Sequence, residues 1–374
     1  MSELFESTEI NSMTLNNRFV RSATWEGMAA EDGACTPKLL DTMTRLSEGG
    51  VGLIITGHAY IKKQGQAGEW QLGIYEDHLI PDLQKMTDAV HQYGGKIIAQ
   101  LAHSGLFADP SLTGHPPIAP SAISDITKHT VQETTLSDIQ NIVESFGLAA
   151  QRAQKAGFDG VQLHAAHGYL LSQFLSPFFN RRTDRYGGNI ENRAAIHLEI
   201  IKTVRSYVGK DYPVLIKMNT GDFIEGGLEL ADALKAGILF AQKGLDAIEL
   251  SGGTALSGKL NPVRTGIRKE SDEAYFEDAA VLFKEHIDIP IILVGGIRSF
   301  EVAERIVNSG TADYISMSRP FIREPDLINR WKSGDRSKTA CLSDSRCFVP
   351  ARTGKGIYCV MDERQRKKDK SRRP

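Results

Sequence analysis

Residues Ser137–Arg193 read SDIQNIVESFGLAAQRAQKAGFDGVQLHAAHGYLLSQFLSPFFNRRTDRYGGNIENR. Ser137–Ala156 has the length and capping of a helix, and Gly157 supplies the glycine stop that ends one. The apolar run Gly160–His164 then reads as a short buried strand. Directly behind it stand His164, His167 and Tyr169. A polar loop, Asn180–Asn189, leads to another helix from Ile190. Strand ends followed by such loops are where α/β folds keep their chemistry.

The pattern of strand, loop and helix recurs along the chain. The strands are expected at Phe19–Ala23, Gly52–Gly57, Lys96–Leu101, Gly160–His164, Val214–Met218, Ala247–Leu250, Ile291–Val294 and Tyr314–Met317. Most lack polar alternation, as parallel strands buried on both faces do. The helices are expected at Pro37–Glu48, Pro81–Tyr93, Ser137–Ala156, Ile190–Val208, Ala231–Gln242, Ala274–His286, Ser299–Asn308 and Pro325–Lys332. Eight units in one direction predict an α/β fold of the (β/α)8 TIM barrel type. An open doubly wound sheet is the alternative, and the lack of an early GxGxxG fingerprint speaks against it. Residues 4–20 are expected to form a hairpin with its turn at Asn16-Asn17. The loop His103–Thr135 and the stretch after Leu163 are long enough to serve as walls of a site on the C-terminal face.

The formal net charge of −2 gives no global attraction to nucleic acid or anionic membrane. No apolar run approaches the roughly 18 residues of a membrane span. The start, MSELFESTEI, lacks the basic and apolar regions of a signal peptide, so a cytoplasmic location is expected. Cys35, Cys341, Cys347 and Cys359 are then expected as thiols or metal ligands rather than disulfides.

Several strand ends carry chemistry. In barrels, phosphate often sits in the loops after strands seven and eight. Here strand seven ends in Gly295-Gly296 and strand eight in Ser318-Arg319. Glycines let backbone N–H groups approach phosphate, and a guanidinium binds it by charge-assisted bonds. Gln100 and Lys217 interrupt strands that should stay apolar, and a buried lysine requires an anion. With Ser22, Thr24 and Gly57 they ring the barrel mouth and point to a flat, hydrogen-bonding, phosphorylated ligand, from which we infer flavin mononucleotide (FMN). The residues alone also allow a nucleotide or a sugar phosphate.

HAAHGYLLSQFLSPFFNRRTDRYGGNIENR resembles the diagnostic segment of the Old Yellow Enzyme family of NADH:flavin oxidoreductases. LFESTEINSMTLNNRFVRSA, IIAQLAHSG, VGGIRS and ISMSRPFIREPDL resemble other motifs of that family, so the likeness runs over roughly residues 4–335. The resemblance implies an FMN-dependent TIM barrel reduced by NADH or NADPH. It implies that His164 and His167 bind a substrate carbonyl and that Tyr169 donates a proton to the neighbouring carbon. By the same resemblance Ser22, Ala23, Thr24, Gly57, Gln100 and Lys217 contact the flavin, and Gly295, Gly296, Ser318 and Arg319 its phosphate. The implied reaction is reduction of the activated C=C bond of an α,β-unsaturated carbonyl. Alternatives are an amine dehydrogenase or demethylase, a dienoyl-CoA reductase-like enzyme, or an RNA-acting flavoprotein. The partners expected are a small-molecule acceptor and a nicotinamide dinucleotide, without nucleic acid or membrane; homo-oligomerisation is left open.

Two features depart from the family pattern. Trp25 stands where many relatives carry a thiol or hydroxyl, and is expected at the substrate. Longer relatives similar to 2,4-dienoyl-CoA reductase carry four cysteines for an iron–sulfur cluster, followed by nucleotide-binding domains. Here three cysteines remain, with Asp344 at the vacant position. Three thiolates do not make the usual set, and a short form without cluster or metal is expected. A zinc held with Asp344 is the alternative. The expected divisions are an FMN-binding barrel over 1–335, a cysteine-containing extension over 336–362, and a basic, disordered tail over 363–374.

Overall fold

The computed structural model describes residues 2–123 and 126–371. Eight parallel strands form a closed barrel: β1 (Phe19–Arg21), β2 (Leu53–Ile55), β3 (Lys96–Ala102), β4 (Gly160–Ala165), β5 (Val214–Asn219), β6 (Ala247–Ser251), β7 (Ile291–Leu293) and β8 (Tyr314–Met317). Each pairs with its sequence neighbour, and β8 pairs with β1 through Ile315 opposite Phe19, which closes the ring. A two-residue strand, Ala59–Tyr60, extends the β3 edge. The outer helices are α1 (Pro37–Glu48), α2 (Ile80–His91), α3 (Leu136–Lys155), α4 (Ala195–Val208), α5 (Leu230–Gln242), α6 (Glu277–His286), α7 (Phe300–Asn308) and α8 (Leu327–Lys332). The sequence-predicted TIM barrel is therefore the observed fold.

Local rules explain the elements. Thr135 caps α3 through a reciprocal box: the Asp138 N–H donates to Thr135 Oγ1 at 3.1 Å, and the Thr135 N–H donates to Asp138 Oδ2 at 2.9 Å. Ile139, Ile142, Phe146, Ala149, Ala150 and Ala153 follow at helical spacing and are buried. Truncating the fully buried Phe146 to alanine would cost about 3–5 kcal/mol.

Alternate residues of each strand face the barrel axis. At the lower end these are apolar: Val20, Leu53, Ile55, Ile98, Leu215, Ala247 and Ile292 form one cluster. Ile10, Met13 and Leu15 of the N-terminal hairpin (Thr8–Ile10 with Met13–Leu15) join it and plug the barrel from below. The hairpin turns at Asn11-Ser12, where Asn11 has φ 52°, and not at Asn16-Asn17 as expected. Asn17 is instead used for tertiary bonding: its amide donates to Gly50 O at 2.8 Å and its carbonyl accepts from Phe19 N.

Three further expectations are corrected. Over its described residues, the His103–Thr135 loop does not wall the large cavity at the barrel mouth. Leu106, Ala119, Ile123 and Val131 pack instead on Phe179, because these apolar residues cover the loop after β4. The expected helix Ile190–Val208 is two pieces, Ile190–Arg193 and α4, broken at Ala194. The tail is not structureless over its described part, since Val360–Ser371 is a helix. Arg366 pairs with Asp362 at 2.8 Å and Lys367 with Glu363 at 2.7 Å, both at i,i+4 spacing, which supports helix in a highly charged segment. Residues 372–374 lie outside the described residues. Among the described residues, no helix is long and apolar enough to cross a membrane.

Candidate active site

A cavity of about 670 Å³ opens at the C-terminal ends of the strands. Its lining includes Ser22, Ala23, Thr24, Trp25, Gln100, His164, His167, Tyr169, Lys217, Gly296, Ser318 and Arg319. Of the residues singled out from sequence, Gly57 and Gly295 stand just behind this lining. A Cβ on Gly57 would meet Glu26 Oε2 at 2.3 Å and Thr24 O at 2.8 Å, so only glycine fits beneath the β1 loop. Gly296 has φ 75°, and a Cβ there would meet the Tyr275 ring at 2.8 Å. Further parts of the wall come from the loop after β6 (Ala255, Asn261, Pro262 and Val263) and from residues 345–352, through Ser345, Phe348, Val349 and Arg352. Sequence reasoning assigned neither wall.

The cavity floor is a layer of polar side chains one step above the apolar plug. Glu249 is its centre. Its Oε1 accepts from Lys217 Nζ at 3.1 Å, Ser22 Oγ at 2.7 Å and Ser316 Oγ at 2.8 Å, and its Oε2 from Gln162 Nε2 at 2.9 Å. Gln162 Oε1 in turn accepts from Gln100 Nε2 at 2.8 Å. Burial pushes the Glu249 carboxyl upward, but Lys217 and the hydroxyl and amide donors outweigh it, and the group lies below its ordinary value. This is the anion that buried Lys217 requires. Glu249, Gln162 and Ser316 were missed from sequence. Gln162 and Glu249 interrupt GVQLH and AIEL as Gln100 and Lys217 interrupt their strands, so the same signal was present.

One further step up sit the histidines. His164 is two residues beyond Gln162 on β4, on the same strand face. Burial, then His167, His58 and Lys217, hold its pKa well below the ordinary imidazole value. His164 Nδ1 is sealed from solvent without a hydrogen-bond partner. His167 adopts φ 65°, a conformation rare outside glycine that recurs at functional sites. Asn219 Oδ1 accepts its N–H at 3.1 Å, and its Nε2 bonds Ser251 Oγ at 2.8 Å. Burial and the Lys217 charge keep His167 neutral as well. The two rings meet edge-on with centroids 5.2 Å apart. Tyr169 caps a short helix, Leu170–Leu175, and its ring lies 5.1 Å from that of His164. Burial raises its phenol well above the ordinary value, so it stays protonated. His58, unassigned from sequence, bonds the Tyr169 hydroxyl through Nε2 at 2.8 Å.

The conspicuous loop Asn180–Arg193 lies outside the cavity. Asn180 Nδ2 donates to Phe174 O and Tyr186 O, each at 2.7 Å, and Arg193 donates to Leu175 O and to Asp232. It fixes the short helix that carries Tyr169.

The donor set suits a flavin phosphate. Arg319 is buried and donates to Ser345 Oγ at 2.9 Å, and among the described residues no carboxylate pairs with it. Thr24 and Ser318 hydroxyls bond each other at 2.6 Å beside it. The cysteines fit a metal poorly. Cys341, Asp344, Cys347 and Cys359 border a cavity of about 20 Å³. Burial and then Cys341 push the Cys347 thiol up to about 12. Among the described residues, no three or more His, Cys, Asp or Glu side chains are gathered to hold a metal ion.

Comparison with known proteins identifies the family. Residues 3–338 match the NADH:flavin oxidoreductase / NADH oxidase family. An NADH oxidase of Thermoanaerobacter brockii is 34% identical over 91% of this chain and 52% of its own length. An NADPH dehydrogenase of Halalkalibacterium halodurans is 36% identical over 86% of this chain and 92% of its own. A solved 2-naphthoyl-CoA reductase in complex with 2-naphthoyl-CoA superposes with a TM-score of 0.88 at 26% identity, covering 96% of this chain and 56% of that one. The chain thus spans about half the length of the first and third of these relatives.

Proposed function

The chain belongs to the NADH:flavin oxidoreductase / NADH oxidase family, and from that premise we propose that it reduces an activated C=C bond of an α,β-unsaturated carbonyl at the expense of NAD(P)H. The observation that carries this reading is the trio above the cavity floor: two neutral imidazoles, one with an orphaned nitrogen, beside a protonated phenol.

Ser22, Ala23, Thr24, Gln100 and Lys217 would hold the ring of FMN with Gly57 behind them, and Gly295, Gly296, Ser318 and Arg319 its phosphate. When bound, FMN supplies a carrier that takes two electrons from the nicotinamide and passes them to the acceptor. His164 and His167 donate hydrogen bonds to the acceptor's carbonyl oxygen and stabilise the negative charge that develops there. Neutral imidazoles suit this task, since they hold the oxygen without giving up a proton. Tyr169 gives its proton to the carbon next to that carbonyl. Trp25 lines the same cavity and limits the acceptor's shape.

The test is anaerobic. The protein is loaded with FMN, reduced with NADH or NADPH, and reoxidised with 2-cyclohexenone, maleimide or a dienoyl-CoA. The thioester is included because a relative of known structure binds an aromatic CoA ester. Reoxidation by an enone with formation of the saturated ketone is expected. Protein that takes up no FMN on reconstitution would overturn the proposal.

A further inference from the structure

The His58–Tyr169 bond gives the proton donor a source. We propose that His58 is a relay that refills the Tyr169 hydroxyl from solvent during acceptor reduction; this rests on the role proposed above for Tyr169. His58 follows β2, which only β3 separates from β4 in the ring, and it reaches Tyr169 at the barrel mouth. Its ring centroid is 5.3 Å from that of Tyr169 and 6.3 Å from that of His164. The three rings form a triangle, with Tyr169 and His164 5.1 Å apart, and the His58 ring hydrogen-bonds the phenol.

Its backbone is anchored, because Gln71 Nε2 donates to His58 O at 3.0 Å while Gln71 Oε1 accepts from Ala67 N at 2.7 Å. Gln71 is itself buried. Among the described residues the imidazole makes no hydrogen bond other than that to Tyr169. The ring is half-buried, within reach of water from the cavity. Burial lowers its pKa to about 4, so at neutral pH one ring nitrogen carries a proton and the other is a free acceptor. A neutral imidazole with one nitrogen on a phenol and the other open to water can pass a proton without accumulating charge.

The need for a relay follows from burial. Tyrosinate is costly here, because desolvation raises the Tyr169 pKa. In the proposed step the acceptor's C=C π bond breaks. The reductant's electron pair and hydrogen saturate the β carbon. The Tyr169 O–H bond breaks as the α C–H bond forms. The His58 Nε2–H proton moves to the phenol oxygen, and a solvent proton arrives at Nδ1. The tautomers re-equilibrate through water before the next turnover. Without the relay, the phenol would end each turnover as a buried anion.

The experiment is a double-mutant cycle on FMN-loaded protein. His58→Ala, His58→Gln and Tyr169→Phe are combined, and reoxidation by 2-cyclohexenone is followed after anaerobic reduction. His58→Ala is expected to slow reoxidation about 10²-fold, the scale of acid–base assistance. In the Tyr169→Phe background it should add almost nothing, because the two residues act as one unit. Added imidazole should restore much of the His58→Ala rate but leave His58→Gln slow. A readout independent of activity is ¹⁵N NMR of labelled histidine without acceptor, in which Tyr169→Phe should shift the His58 ring signals. If Tyr169→Phe is slow while His58→Ala reoxidises at the wild-type rate, the relay is overturned and the donor stands. If Tyr169→Phe itself is fast, the donor assignment fails. Additive losses with no imidazole rescue would make His58 a packing residue and also overturn the relay.

Discussion

Glu249→Gln removes the charge partner of Lys217 while keeping the shape of the side chain. Lys217 is 3% exposed at its side chain and Glu249 0%, so the pair has almost no water to fall back on. Glu249 accepts four hydrogen bonds, and a glutamine amide must turn its NH2 toward at least one of those donors. Removing one partner of a buried pair typically costs about 3–5 kcal/mol, mostly the penalty of the charge left behind. Unfolding entropy of about 2.1 cal/mol/K per residue over 374 residues converts about 4 kcal/mol into a fall in Tm of about 5 °C. Thermal unfolding of the FMN-free protein is the assay. Lys217→Met combined with Glu249→Gln removes both charges and should recover part of the loss. The pH dependence has a definite sign. Glu249 lies below its ordinary value in the fold, so its stabilisation is present above about pH 4.5 and lost as pH falls through that depressed value. Glu249→Gln should therefore flatten the acid limb of Tm against pH. A single variant within about 1 °C of wild type would refute the claim that this carboxylate holds Lys217.

Other outcomes follow from the same geometry. His58, His103 and His197 are shifted down to about 4, 3 and 4 by burial, so unfolding takes up protons below their ordinary value of 6.5. Stability should fall as pH drops from about 6.5 toward about 4, and His197→Leu should lessen that loss in a Tm–pH series. Arg319→Ala removes a charge-assisted donor worth about 1.5–3 kcal/mol, so the FMN Kd from fluorescence titration should rise about 10–100-fold. Gly57→Ala inserts a methyl 2.3 Å from Glu26 Oε2 and should cost about 1–3 kcal/mol, read from urea unfolding.

Strand positions were legible because parallel strands buried on both faces must be apolar runs, and seven of the eight expected strands shift by a residue or two at their ends. Polar residues inside those runs then marked the site: Gln100 and Lys217 were found that way. Glu249 and Gln162 obey the same rule and were passed over, although a buried Lys217 already demanded an anion. His58 was invisible for a different reason. A histidine after a strand is common, and its bond to Tyr169 spans 111 positions in sequence. The outer wall was illegible too, because Phe348, Val349 and Arg352 reach the cavity only through the packing of the C-terminal segment on the loop after β1. That packing rests on contacts such as Ile357 N–H to Glu26 O at 2.8 Å. The hairpin turn failed because Asn16-Asn17 and Asn11-Ser12 both carry turn residues, and the fit of Ile10, Met13 and Leu15 into the barrel base decides between them.

The central claim is that Tyr169 supplies the proton in acceptor reduction. Anaerobic stopped-flow absorbance of FMN-loaded wild type and Tyr169→Phe separates the two half-reactions. Reduction by NAD(P)H should proceed at the same rate in both proteins, while reoxidation by 2-cyclohexenone should slow about 10²-fold or more in the variant. Equal loss in both half-reactions, or reoxidation at the wild-type rate, would contradict it.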